Sequence, residues 1–223
     1  LVNGAQEGDH LFLHYSGHGT QVEDTDGDEV DGKDDALVPC DYERSGVLSD
    51  DELRRILVMP LPKGARLTVI LDCCHSGTAM DLPYMVKVMD GDLVDVKKQP
   101  AHKMLPQAAG DVVLISGCLD SQTSADAGAG LAGNTKPSGA MTTAFKDVIL
   151  NKPTGTYHDV LQEMRKFLKQ QGFEQVPQLS SEKFVDLGAC FMPAAQAAAE
   201  SLVPALIKPS RAPVRKALTV GIN

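Results

Sequence analysis

Two short segments of the chain carry side chains that could perform nucleophilic catalysis. His18 lies between two glycines directly after the apolar residues 10–15, and Cys74 follows the apolar residues 67–71. A cysteine nucleophile needs a histidine that accepts and returns its proton, and backbone donors for the oxyanion, of which the Gly19 N–H could be one. A single cysteine is more often a small buried hydrophobic residue. Because both side chains follow apolar runs and lie among small residues, we predict that His18 and Cys74 form a catalytic dyad.

Four apolar runs rich in β-branched residues indicate strands that are covered on both faces. They are residues 10–15, 67–71, 112–115 and 217–220. The capping-box pattern that begins at Ser49 predicts a helix over 50–58, and helical spacing predicts two more over 141–150 and 158–171, the last ending at Gly172. Strands that alternate with helices predict an α/β sandwich with a mostly parallel central sheet and helices on both faces.

Ligands bind at the carboxyl ends of the strands in folds of this kind. The candidate residues at those ends are Ser16, His18, Asp72, Cys74 and Ser116. Residues 86–110 and 128–139 lack periodicity and are predicted to be surface loops, and the Ala-rich and Pro-rich residues 194–215 to be a tail.

Composition excludes several classes of protein. The chain has 223 residues, 43% of them hydrophobic, and its 21 basic and 30 acidic residues give a net charge of −9. This balance argues against nucleic acid as a partner, and no apolar run is long enough to cross a membrane. The acidic excess is local, with 13 Asp and Glu residues between Glu23 and Glu52. Five cysteines, two of them adjacent, and no signal-peptide pattern at the start favour a reducing, cytoplasmic setting.

Two signatures resemble those of the metacaspases, caspase-related cysteine peptidases. They are His14-Tyr-Ser-Gly-His-Gly19 and Asp72-Cys-Cys-His-Ser-Gly77, and further similar segments extend the resemblance over most of residues 1–193. The resemblance implies a caspase-like fold in which His18 is the general base and Cys74 the nucleophile, with Cys73 structural. It also implies a large-subunit-like part over 1–85, a connector over 86–110 and a small-subunit-like part over 111–193.

The resemblance places Ser16 and Asp72 in the pocket for the side chain that precedes the scissile bond. An acidic pocket selects Arg or Lys. The alternative for Asp72 is a carboxylate at a strand end that caps nearby backbone N–H groups.

Calcium is the cofactor that the resemblance implies. It assigns the ion to four aspartates, Asp34, Asp50, Asp51 and Asp81. An EF-hand loop that began at Asp24 would need glycine at its sixth position, which here is Glu29, so that template fails. The alternatives are a solvated acidic surface and, for the two aspartates after Ser49, a favourable interaction with the helix dipole.

The predicted function is therefore that of a calcium-activated cysteine endopeptidase. We expect the protein to be a monomer and to cleave protein substrates that have Arg or Lys before the scissile bond. Relatives cleave themselves in the connector, where the candidate sites are Lys87, Lys97, Lys98 and Lys103. Two alternatives remain open: a catalytically silent calcium-binding or scaffold homologue, and a related peptidase that cleaves after Asn or Asp.

The end of the chain resembles the first strand of the metacaspase catalytic domain. We predict that residues 217–222 pair in the same sheet as 10–15 and 67–71, with their carboxyl end toward the edge that carries His18. The tail over 194–215 resembles a pro-region, followed by the strand at 216–223. We expect a gap or a long span between Asn223 and Leu1, through either a permuted order or missing residues.

Overall fold

The structure is a computed structural model that describes most of the chain. The described residues are 1–27, 29, 32–73, 76, 78–89, 92–98, 105–117, 126–127, 138–152, 154–192 and 214–221. Side chains are described for these residues except in 87–89, 92–98, 126–127, 138 and 221.

A seven-stranded sheet forms the centre of the fold. Numbered along the chain, its strands are β1 (His10–Ser16), β5 (Arg66–Asp72), β6 (Tyr84–Met89), β7 (Asp92–Lys98), β8 (Asp111–Ser116), β11 (Gln178–Ser181) and β12 (Arg215–Gly221). Their spatial order is β12-β1-β5-β8-β11-β6-β7. Five strands run in one direction, and only β11 and β7 run in the other. The prediction of a mostly parallel sheet is confirmed.

Both faces of this sheet are buried, which explains the continuous apolar runs. Leu67, Val69 and Leu71 of β5 point into one core cluster, and Ile70 points into the other. Two helices that pack against each other, α3 (Ala140–Asn151) and α4 (Tyr157–Gln170), cover the Ile70 face. The opposite face packs against residues that follow the short helix α2 (Asp50–Leu53). The predicted caspase-like α/β arrangement, with helices on both faces, is therefore confirmed.

The helix ends follow the capping signals of the sequence. The Ser49 side chain accepts a hydrogen bond from the Glu52 N–H at the start of α2, and this helix continues as a π-helical turn over Arg54–Val58. At the end of α4 the chain turns through Gly172, whose φ of 82° is in the left-handed region that favours glycine. The three helices predicted from the sequence are present, and α1 (Tyr42–Ser45) is an additional single turn.

A second, three-stranded sheet follows β1. It consists of β2 (His18–Glu23), β3 (Lys33–Val38) and β4 (Leu48–Ser49), all paired antiparallel. These strands were not predicted from the sequence, because β3 begins with charged residues that are normally found at the surface. This small sheet carries His18 and the first of the predicted calcium ligands.

The prediction that residues 86–110 form a loop is wrong for residues 86–89 and 92–98, which are strands. β6 and β7 pair antiparallel as a hairpin, with a bulge between Val86 and Lys87. β6 is apolar at every position except Lys87, and the hairpin extends the sheet beyond β11. Within 128–139, the other predicted loop, Ser138 and Gly139 form the short strand β10, which pairs with β9 (Asp126–Ala127). Residues 128–137 lie outside the described residues.

The final strand pairs as predicted but not in the interior of the sheet. β12 runs parallel to β1, with Arg215 beside His10 and Gly221 beside Ser16, so its carboxyl end lies at the predicted edge. It is the outermost strand, and Leu218 is 46% exposed. The prediction that residues 217–220 form a strand covered on both faces is therefore wrong. Residues 193–213 and Asn223 lie outside the described residues, so the predicted tail and gap stay predictions.

The longest helix among the described residues is α4, with 14 residues. Among the described residues, no helix combines the length and the apolar character that a membrane span requires.

Candidate active site

The predicted site residues converge where β1 and β5 end. Ser16 and Asp72 are direct partners in the β1–β5 register, and the Gly17 N–H donates to the Asp72 carbonyl at 3.3 Å. His18 follows at the start of β2 and its side chain is exposed. Cys74 lies outside the described residues, two positions along the chain from Asp72. The described residues of the predicted dyad and pocket, which are Ser16, His18 and Asp72, thus lie at the same edge of the sheet.

The buried side chain of Tyr15 holds the backbone at His18 in place. Its hydroxyl oxygen lies 2.8 Å from the carbonyl of His18 and 3.0 Å from the carbonyl of Val38, the partner of His18 across the β2–β3 pair. Burial raises the pKa of Tyr15 to about 12, so the phenol stays a hydrogen-bond donor at any physiological pH. Gly19, the predicted oxyanion donor, lies next in β2 and is the partner of Leu37.

Asp72 is almost completely buried, with 3% of its surface exposed. Its Oδ2 atom accepts hydrogen bonds from Thr142 twice, from the backbone N–H at 2.7 Å and from the hydroxyl at 2.6 Å. Thr142 lies in the first turn of α3, so Asp72 caps that helix from across the sheet edge. The capping alternative for Asp72 therefore has direct support, and its place beside Ser16 keeps it in position for a pocket.

His14 continues this hydrogen-bonded chain. Its Nε2 atom lies 3.0 Å from the hydroxyl oxygen of Thr142. Burial lowers the pKa of His14, which favours the neutral ring. No role for His14 or Thr142 was predicted from the sequence, because Asp72 and Thr142 are 70 positions apart and no spacing signal joins them.

The predicted calcium ligands form an acidic cluster beside this edge. Burial raises the pKa of Asp50 to about 8, although its carboxylate accepts hydrogen bonds from the N–H groups of Asp35 and Asp51. Burial, followed by the negative charge of Asp51, raises the pKa of Asp34 to about 6. The Asp34 Oδ1 atom is buried without a hydrogen-bond partner. Carboxylates that are buried close together in this way are costly when ionised, unless a cation joins them.

Three carboxylates come together closely enough to share one ion. An oxygen of each of Glu29, Asp50 and Asp81 lies within 4.8 Å of the others. Asp81 has a φ of 48°, a left-handed conformation that is rare for a residue other than glycine. Two of the four predicted ligands are thus brought together, whereas Asp34 and Asp51 lie in the surrounding cluster. Glu29 was missed because it was judged only against an EF-hand template. Hard carboxylate oxygens in loops suit calcium, so the residues fit the expected ion.

A buried ion pair supports the loop that contains Asp81. Arg54 Nη1 donates to the Asp81 carbonyl and to Glu182 Oε2, both at 3.0 Å, and Arg54 Nη2 donates to the Pro106 carbonyl at 2.7 Å. The other carboxylate oxygen of Glu182 accepts from the Ala108 N–H at 2.6 Å. This arrangement joins the helix of the acidic cluster to the loop after the cysteine motif.

The predicted processing sites lie partly on strands. Lys87 is in β6, whereas Lys97 and Lys98 are the last two residues of β7. Lys103 lies outside the described residues. Peptide bonds within a paired strand are poor substrates because a peptidase needs an unpaired, extended segment. Lys98, at the end of its strand, is the best placed of the three that are described.

Comparison with known proteins places this arrangement in a class. The fold is that of caspase-like α/β proteins. A solved protein of Geobacter sulfurreducens matches with a TM-score of 0.55 and 25% identity over 86% of this chain and 74% of that one.

The sequence comparisons define the family more narrowly. Residues 1–83 match the profile described as the metacaspase, peptidase C14 domain. The chain is 39% identical to metacaspase-1 of Mycosarcoma maydis and 41% identical to metacaspase-2 of Trypanosoma brucei brucei, in each case over 86% of this chain and 56% of the relative. Metacaspase-1 of Saccharomyces cerevisiae is 37% identical. The chain belongs to the metacaspase family of cysteine peptidases and spans about half the length of these relatives.

Proposed function

We propose that the protein is a calcium-activated cysteine endopeptidase that cleaves protein substrates after Arg or Lys. The observation that carries this proposal is the register of β1 and β5, which brings Ser16 and Asp72 side by side at the edge where His18 lies. Membership of a cysteine peptidase family supports the chemistry. Clustered carboxylates beside this edge support the role of calcium.

Catalysis would begin when His18 takes the proton of the Cys74 thiol. The thiolate attacks the scissile carbonyl carbon, and the oxyanion of the tetrahedral intermediate accepts from backbone donors such as the Gly19 N–H. His18 then returns the proton to the leaving amine as the C–N bond breaks. Water attacks the thioester, activated by His18, and releases the acid and the free thiol. The hydrogen bond from Tyr15 to the His18 carbonyl would hold the base in place.

Substrate selection would rest on Asp72. A carboxylate buried at a strand end attracts a guanidinium or an ammonium and disfavours the Asp side chain that caspases accept. Calcium, held by Asp50, Asp81 and neighbouring carboxylates, would neutralise the cluster and thereby favour one arrangement of the adjoining loop. The ion supplies charge neutralisation and takes no part in the covalent steps.

The test is a panel of matched fluorogenic peptides with Arg, Lys, Asn or Asp before the scissile bond. Each is assayed with purified protein in excess calcium and in chelator. Calcium-dependent hydrolysis of the Arg and Lys peptides alone is expected. Cleavage after Asn or Asp would support the related specificity instead. Binding of calcium without hydrolysis of any peptide would support a silent calcium-binding homologue, and Cys74→Ala controls for a contaminating peptidase.

Self-processing is the second part of the proposal. We expect calcium to trigger a cut after Lys98 or Lys103, because Lys87 and Lys97 lie inside paired strands whereas Lys98 is the last residue of its strand. Intact-mass measurements before and after calcium addition would locate the cut. Wild type that remains uncut, or Cys74→Ala that is cut at the same rate, would contradict self-processing.

A further inference from the structure

The start of α3 is built around the carboxylate of Asp72. Both donors of Thr142 converge on the same oxygen, Oδ2, at 2.7 Å from the backbone nitrogen and 2.6 Å from the hydroxyl oxygen. A single backbone contact would leave the carboxylate able to rotate about its Cβ–Cγ bond. Two donors from one residue restrict that rotation, because both bonds are kept only in one orientation of the carboxylate plane.

The Asp72 carboxylate determines the direction of the Thr142 hydroxyl, and this direction sets the role of His14. A hydroxyl has one proton, and an ionised carboxylate only accepts, so this proton is given to Asp72. The 3.0 Å contact between His14 Nε2 and the hydroxyl oxygen must then use an N–H of the ring as the donor. The chain of donors therefore runs from His14 to Thr142 to Asp72.

Glycine at the helix N-cap makes this close approach possible. A Cβ atom built on Gly139 would overlap the Asp72 carboxylate, and a Cβ on Gly117 would contact the Asp72 Oδ1 atom at 3.7 Å. Gly139 has an extended conformation with φ −60° and ψ 146°, which any residue could adopt. Its smallness, and not an unusual backbone angle, is thus what the site requires.

We propose that Thr142 is a positioning residue that makes the Asp72 pocket prefer Arg to Lys. This inference rests on the proposed function. A guanidinium donates through a planar fork, whose hydrogen bonds need a carboxylate of matching orientation, whereas a Lys ammonium is a point charge that tolerates rotation. An Asp72 carboxylate of fixed orientation therefore favours Arg. A carboxylate that can rotate retains only the charge attraction that Arg and Lys side chains share.

The central variant is Thr142→Val, which removes the hydroxyl and keeps both the side-chain shape and the backbone N–H. We expect kcat/KM for a peptide with Arg before the scissile bond to fall about tenfold, mainly through KM, which corresponds to about 1.4 kcal/mol. The matched Lys peptide should change less than about twofold. Thr142→Ser, which restores a hydroxyl, should regain most of the preference for Arg.

Thr143→Val provides a matched control within the same helical turn. The Thr143 hydroxyl donates to the Gly139 carbonyl at 3.0 Å, so its loss perturbs the start of α3. We expect this variant to keep the wild-type ratio of Arg to Lys hydrolysis. Circular dichroism and thermal melting of all variants test that they fold.

The outcomes separate this inference from the proposed function. A wild-type protein that prefers Arg, with the same ratio in Thr142→Val, would overturn the inference alone. An equal change of the ratio in Thr143→Val would also overturn it, because a general disturbance of the helix start would then suffice. A wild-type protein that cleaves neither peptide would refute the proposed function and the inference together. If Thr142→Val does not fold, Gly139→Ala supplies the second test, since displacement of Asp72 should also reduce the ratio.

Discussion

Neutralising Glu182 should be among the most destabilising single changes in the chain. Its side chain is 0% exposed and that of its partner Arg54 is 6% exposed. If one charge is removed, water therefore cannot solvate the charge that remains. Gln has the shape of Glu but carries an NH₂ group. In either orientation this group faces a donor, Arg54 Nη1 at the Oε2 position or the Ala108 N–H at the Oε1 position. Removing one partner of a buried ion pair costs about 3–5 kcal/mol, and we expect Glu182→Gln to lose that much.

Urea denaturation followed by circular dichroism measures this loss as a change in the free energy of unfolding. Glu163→Gln is the matched control, because the pair between Lys152 and Glu163 is 54% and 34% exposed and should cost no more than about 1 kcal/mol. The double variant Arg54→Met/Glu182→Met removes both buried charges and should be more stable than Glu182→Gln. A loss in Glu182→Gln no larger than in the control would refute the reasoning.

Three further predictions concern the acidic cluster and the dyad support. In chelator, stability should fall as the pH rises from about 4 to about 8, because folded Asp50, whose pKa is raised to about 8, keeps a proton that the unfolded chain releases. Thermal melting should show a flatter decline in Asp50→Asn, and an equal slope would contradict this. Asp51→Ala should raise the calcium concentration for half-maximal thermal stabilisation at least about tenfold, whereas Glu43→Ala, at an exposed position, should not. An unchanged midpoint in Asp51→Ala would indicate that the aspartates form a solvated acidic surface. Tyr15→Phe should lower the free energy of unfolding in urea by about 1 kcal/mol and should also lower kcat, because the His18 carbonyl loses its donor. A free energy of unfolding and a kcat that are both unaltered would exclude this role of Tyr15.

The sequence predicted the elements whose burial is complete on both faces. Strands such as β5 have continuous apolar runs because each face packs against its own core cluster. The hairpin of β6 and β7 was missed because charged residues interrupt its apolar pattern, and strand pairing at a sheet end is decided by distant residues. β3 was missed for a related reason, since Asp34 and Asp35 are buried within it.

Contacts between distant segments were beyond what spacing could predict. Motifs identified His18 and Asp72, but Thr142 contacts Asp72 across 70 positions and Arg54 contacts Glu182 across 128. Such partners become neighbours only when the sheet and helices assemble. Glu29 is a partial exception, because it lies within an acidic run and clustered carboxylates were already the signal for calcium.

The most direct test of the central claim is hydrolysis of an Arg peptide, in saturating calcium, by two variants that each have one cysteine replaced by alanine. Cys74→Ala should have no activity, because it removes the nucleophile. Cys73→Ala should retain most of the wild-type rate, because the Cys73 side chain is fully buried and packs in the core. A Cys74→Ala variant that still cleaves the peptide, with Cys73→Ala inactive, would contradict the assignment of the dyad.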